Sequence, residues 1–133
     1  MREEFKTDKF RAGLEVRRAV VGDSYVEKSL AAADDVSAPL QKLITEWCWG
    51  EVWTRSPLDR RSRSILNLGM LMALNRQNEL RLHILGAINN GVTREELVEI
   101  ILQGAVYCGV PASLDAMKAL QSVLAQVELK ETA

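Results

Sequence analysis

The chain has little of what usually marks a metal, membrane or nucleic-acid protein. It has one histidine, His83, and two cysteines, Cys48 and Cys108, which lie far apart and form no CxxC pair. A structural zinc site built within the chain is therefore not expected, and two reduced thiols fit a cytoplasmic setting. No excess of either charge is present: 17 basic residues face 18 acidic ones, for a formal net charge of −1. No global field favours a nucleic acid, and the local cluster Arg60, Arg61 and Arg63 reads as a solvated helix start. No apolar run approaches the ~18 residues of a membrane span. The N-terminus, charged from Met1 to Phe10, has no signal-peptide core. Repeats, linkers, low-complexity segments and alternating strand patterns are also missing.

What is present is helical periodicity over 133 residues, 47% of them apolar. That length bounds a single domain, 1-133, with an N-terminal helical extension over about 1-35 and a core over about 36-128. The spacing predicts helices from Glu3 to Val21, with Arg17 and Arg18 turned to solvent or a neighbour, and from Asp23 to Ala33. A third should run from Ala38 to Trp53. A fourth, capped by Asp59, reads RRSRSILNLGMLMALNR and is apolar almost all round between Ile65 and Leu74. Such a helix should be surrounded on every side, which a chain this small achieves most readily in an oligomer. A last helix is expected from Pro111 to about Glu128, with Lys130 to Ala133 frayed.

Between these lies the stretch from Asn75 to Pro111. A helix from Gln77 to Asn89 should stop at Asn90-Gly91, since glycine tolerates the left-handed conformation of a C-cap. Thr93 and Glu96 form a capping box that opens the next helix, which reaches Gly109. Glu79 and His83 are four apart, so they share a face. Glu99, Gln103 and Tyr107 make a second polar stripe with the same spacing. Either the stripes meet in one cleft, or Glu79, Glu99 and Gln103 are solvated surface and His83 is a satisfied, half-buried histidine. Upstream, Trp47, Trp49 and Trp53 crowd around Cys48, Gly50 and Glu51, as a packing cluster or a pocket wall. Arg55 could pair with Glu51 or grip a carboxylate ligand with its planar fork.

Three motifs carry a resemblance: Trp49-Gly50-Glu51-Val52-Trp53-Thr54-Arg55, Asn75-Arg76-x-x-Glu79-Leu80-x-x-His83 and Asn90-Gly91-Val92-Thr93. Leu58 with Arg63-Ser64, the closing Tyr107-Cys108-Gly109-Val110-Pro111-Ala112 and the upstream run from Gly13 to Asp23 add to it. Together, over about Gly13 to Leu120, they resemble the carboxymuconolactone decarboxylase family. Departures are Ser56-Pro57 where the family commonly has Pro-Gly, Ser113-Leu114 in place of Ala-Asn, and Cys48 where a small residue is usual.

The resemblance implies an all-α helical bundle of the alkylhydroperoxidase D-like type, with about six to seven helices, assembled as a trimer or hexamer. It implies an enzyme that uses no cofactor and no metal. Its reaction would remove CO2 from 4-carboxymuconolactone, in the β-ketoadipate pathway of protocatechuate breakdown, and leave 3-oxoadipate enol-lactone. In that setting His83, with an ordinary pKa of ~6.5, is the candidate acid, with Glu79 or Glu51 as its partner and Glu99 as a further candidate. Arg55 and Arg76 would hold the retained carboxylate, Arg63 less directly. Trp49 and Trp53 would wall off the departing carboxylate, and Glu99, Gln103 and Tyr107 would line the substrate. A close relative acting on another small carboxylated lactone or β-keto acid is the first alternative. Peroxidase chemistry on the same fold needs two cysteines where this chain has Arg76 and Glu79. A non-catalytic oligomerising module is the last alternative.

Overall fold

The structure, a computed structural model, describes residues 1–132. Among them are seven α-helices, one π-helical segment and no strand, in agreement with the all-α expectation. They form two compact units, Met1–Asp59 and Arg60–Ala133. No described helix is long and apolar enough to cross a membrane.

Unit 1 begins with a short 3-10 turn, Glu3–Phe5, and then α1, Asp8–Val21. The single helix expected from Glu3 is broken because the Thr7 hydroxyl accepts the Phe10 N–H and starts α1 afresh. The rings of Phe5 and Phe10 stack across this break, 4.6 Å apart. Next come α2 (Asp23–Ala31) and α3 (Ala38–Leu43). The helix expected to continue to Trp53 changes type instead: Ile44–Val52 is π-helical. Wide turns of this kind are rare in soluble proteins and frequent at functional sites. The π segment packs on α1 where glycine faces glycine, Gly13 on α1 and Gly50 on the segment.

Unit 2 holds α4 (Arg60–Ala73), α5 (Gln77–Asn89), α6 (Arg94–Tyr107) and α7 (Val110–Thr132). Its core draws Leu68 and Met72 from α4, Leu80, Ile84 and Ala87 from α5, Leu97 and Ile101 from α6, and Ala116, Ala119, Leu120 and Val123 from α7. Within this chain α4 is not surrounded as the sequence suggested. Ser64, Leu68 and Met72 are buried, whereas Leu66 and Met70 on the other side, with Leu74 just beyond the helix, are exposed. The fraying expected from Lys130 onwards is absent through Thr132, and Ala133 lies outside the described residues.

The two stops that frame α5 are Schellman turns. At the end of α4, Arg76 N–H reaches Leu71 O and Asn75 N–H reaches Met72 O, with Asn75 at φ 57°. At the end of α5, Val92 N–H reaches Ala87 O and Gly91 N–H reaches Ile88 O, with Gly91 at φ 91°. Both use the left-handed position such turns require. The capping box at Thr93 and Glu96 is formed as expected, and the Glu96 carboxylate also pairs with Arg61 of α4.

Gly104 on α6 illustrates a close approach that can yield. A Cβ there would meet the Met72 methyl at 2.2 Å, the far end of a flexible chain. Gly104→Ala should therefore change stability by no more than ~1.5 kcal/mol in a urea titration, since methionine repacks readily and alanine favours helix. A loss above ~3 kcal/mol would mean that Met72 has nowhere to go.

Candidate functional site

The Asn75 turn delivers Arg76 to the head of α5, where its carbonyl accepts the Leu80 N–H. Glu79 follows in the first turn, where a carboxylate is favoured by the unsatisfied N–H groups. His83 lies one turn on, beside the buried stripe of Leu80, Ile84 and Ala87, and is itself half-buried. Arg76 and Glu79 are exposed. The three groups thus run from solvent to the edge of the core along little more than two turns of helix.

Burial pushes the His83 pKa down to about 4, against the opposing pull of the Glu79 carboxylate. The ring is therefore neutral near pH 7, which corrects the expectation of an imidazole poised near 6.5. With the folded pKa below the unfolded one, the unfolded chain binds the proton first. Stability contributed by the neutral ring is complete above pH ~6.5 and is lost as pH falls through about 4. Wild type should lose ~3 kcal/mol more than His83→Gln across that window in denaturant titrations. Parallel pH profiles for the two proteins would refute this.

On α6 the stripe Glu99, Gln103 and Tyr107 is exposed. Glu99 and Gln103 line a depression of about 490 Å³ with Ile65 and Ile100. Gln103 and Tyr107 continue into one of about 390 Å³ that includes Leu66, Gly69 and Cys108. Both lie between α4 and α6, and His83 lines neither. The α6 stripe and the α5 stripe therefore do not meet in either depression.

The candidates on unit 1 sit on or just after the π segment. Trp49 and Trp53 are buried and lie 4.8 Å apart, ring centre to ring centre, while Trp47 is 58% exposed. The two rings pack against each other. Glu51 is paired with Lys9 of α1 at 3.0 Å rather than with Arg55, and Arg55 is exposed. The Cys48 thiol is pushed up by burial, against the opposing effects of Arg17 and a hydrogen bond with Trp53, so it is not an activated thiolate. Among the described residues, no group of three or more His, Cys, Asp or Glu side chains could hold a metal ion.

Arg17 corrects the sequence reading most. It is 4% exposed, and its guanidinium donates to Gln41 Oε1 at 2.9 Å and Thr45 Oγ1 at 3.1 Å. Desolvation lowers its pKa, opposed first by Tyr25 and then by Cys48. The signal was available: Phe10, Gly13, Leu14, Arg17, Val20 and Val21 share one helical face, so position 17 belongs to the buried stripe.

Comparison with known proteins adds the following. The model of the carboxymuconolactone decarboxylase family matches residues 38–122. A nitrosuccinic acid decarboxylase of Metarhizium robertsii is 48% identical over 115 residues, covering 86% of this chain and 80% of that one. A 4-carboxymuconolactone decarboxylase of Acinetobacter baylyi is 43% identical over 115 residues, 86% of each chain. A 4-carboxymuconolactone decarboxylase of Pseudomonas putida is 37% identical over 43 residues, covering 32% of this chain and 90% of that sequence.

Proposed function

Because this chain belongs to the carboxymuconolactone decarboxylase family, we propose that it is a carboxy-lyase acting on 4-carboxymuconolactone, with His83 as the proton donor. The observation that carries the reading is the 43% identity over 86% of both chains to a decarboxylase of that substrate. The substrate is a dianion. Loss of CO2 breaks a C–C bond at the ring carbon, and the electron pair passes through the ring C=C to the lactone carbonyl oxygen. Protonation of the dienolate at carbon then gives the enol-lactone.

His83 suits this sequence because it is neutral in the empty chain. A dianion arriving beside it favours the charged ring, so proton uptake accompanies binding. The imidazolium then stabilises the growing oxyanion and delivers its proton once CO2 has left. Glu79 orients the ring from one turn away. Arg76 offers a fork for the carboxylate that is retained. The exposed apolar residues Leu66, Met70 and Leu74, with Leu102 and Val106 of α6, support a homo-oligomer.

The 48% identity to a nitrosuccinic acid decarboxylase favours a second reading with the same logic. Nitrosuccinate also loses CO2 from a carbon bearing an electron-accepting group, and it also keeps a carboxylate on the adjacent CH2. Its nitro oxygens take the charge that the lactone oxygen would take. Turnover of both acids by the purified chain, compared as kcat/KM, decides between them. A preference of more than tenfold for the lactone supports the first reading, and the reverse preference supports the second. Turnover of neither would leave only the fold in common with these relatives.

A further inference from the structure

One face of unit 2 is apolar, uncharged and exposed. The chain has no Asp, Glu, Lys or Arg between Ser64 and Asn75, or between Ile100 and Leu114. Yet Leu66, Met70 and Leu74, and Leu102, Val106 and Tyr107 of α6, are each exposed by about half or more. Leu66 and Tyr107 line the same depression of about 390 Å³ between α4 and α6. Met70 and Leu74 continue the Leu66 stripe at four-residue spacing. Together the six side chains present roughly 700 Å², close to the ~800 Å² that one partner brings to a standard stable interface. The relief of α4 is as telling. Leu66, Met70 and Leu74 form a ridge, and the row beside it, Ile65, Gly69 and Ala73, is shallow because two of its members are so small. Gly69 lies inside the helix, where glycine is disfavoured relative to alanine. A Cβ built there would meet no described atom within 4 Å, so packing among the described residues does not require a glycine at this position.

We propose that a second copy of the chain docks on this face about a two-fold axis, the two α4 helices crossing closely at Gly69. Ridge and shallow row lie side by side on one helix. A single two-fold operation therefore seats each copy's ridge in the other's row, whereas a head-to-tail contact would need a different complementary patch elsewhere. Packing of such four-residue ridges into one another is the commonest helix–helix class. The absence of charge fits the same symmetry. Near a two-fold axis each group faces its own copy, so any Lys or Glu there would meet a like charge. The consequence is an assembly with an even number of copies. The proposal rests on the homo-oligomer reading above and not on the identity of the reaction.

The test is sedimentation velocity on the full chain at micromolar concentration, with wild type, Gly69→Leu and Leu66→Lys. Wild type should have the mass of an even number of copies. Gly69→Leu fills space that is open within the chain, and Leu66→Lys puts a cation on an exposed position. Each should leave the far-UV circular dichroism unchanged and halve the mass, since losing a two-fold contact splits the assembly into equal parts. An odd number of copies in wild type, or a mass that either folded variant leaves unchanged, would overturn this pairing and spare the homo-oligomer reading. A monomeric wild type would overturn both and mean that something other than a second copy covers the face. Should Gly69→Leu fail to fold, Leu66→Lys still decides the matter.

Discussion

His83→Ala is expected to lower kcat on the preferred acid by ~10²- to 10⁴-fold, the range for loss of a positioned proton donor, with KM changed far less. The fold should survive, because alanine is the best helix former and position 83 lies beside the core rather than in it. Far-UV circular dichroism checks that point. The two kinetic constants report different things. A donor that acts only after CO2 has begun to leave contributes to kcat, whereas a side chain that merely grips the substrate would appear in KM. A kcat within threefold of wild type would remove His83 from the chemistry and leave Glu79 and Arg76 without a centre to serve. His83→Gln should be almost as slow, since its amide can donate a hydrogen bond but cannot release a proton near neutrality.

The largest stability effect is expected at Gly13. A Cβ built there would lie 1.8 Å from the Thr45 carbonyl oxygen, 2.8 Å from its carbon and 3.1 Å from Gly50 N. All three are backbone atoms of the π segment, so no side chain can swing aside as Met72 does at Gly104. Gly13→Ala should cost at least ~3 kcal/mol, the upper end for overpacking, although alanine alone would favour α1. All three tryptophans, Trp47, Trp49 and Trp53, lie on or just after that segment. Urea unfolding followed by tryptophan fluorescence should show a clearly lower midpoint. An unchanged midpoint would mean that α1 and the π segment do not pack as described.

Much of the helical frame was legible because its signals are local. Asn90-Gly91 and Thr93 with Glu96 each act on their own few residues, and the elements they bound appear where expected, whereas Asp23 makes no side-chain cap bond. The family motifs located α5 and its Arg76, Glu79 and His83 for the same reason. What the sequence did not disclose depends on partners distant along the chain. The π segment meets Gly13 of α1 at Thr45 and Gly50, a long-range approach that no propensity within Ile44–Val52 announces. Arg17 follows its position in the periodic stripe rather than its charge, because Gln41 and Thr45 of a later segment satisfy its guanidinium. The low His83 pKa is likewise a property of burial, and residue type alone gives only ~6.5.

The bonds among Arg17, Gln41 and Thr45 also fix the direction of the hydrogens they share. The Thr45 hydroxyl donates to the Gln41 carbonyl at 2.8 Å, so its oxygen is left to accept from Arg17, and the Gln41 amide must turn its oxygen to the same guanidinium. The bonds are thus polarised one way, from the cation through a hydroxyl to a peptide carbonyl. That carbonyl lies in α3 just before the helix widens into the π segment. A side chain from α1 thereby places positive charge, through the Thr45 hydroxyl, at the seam between two kinds of helix.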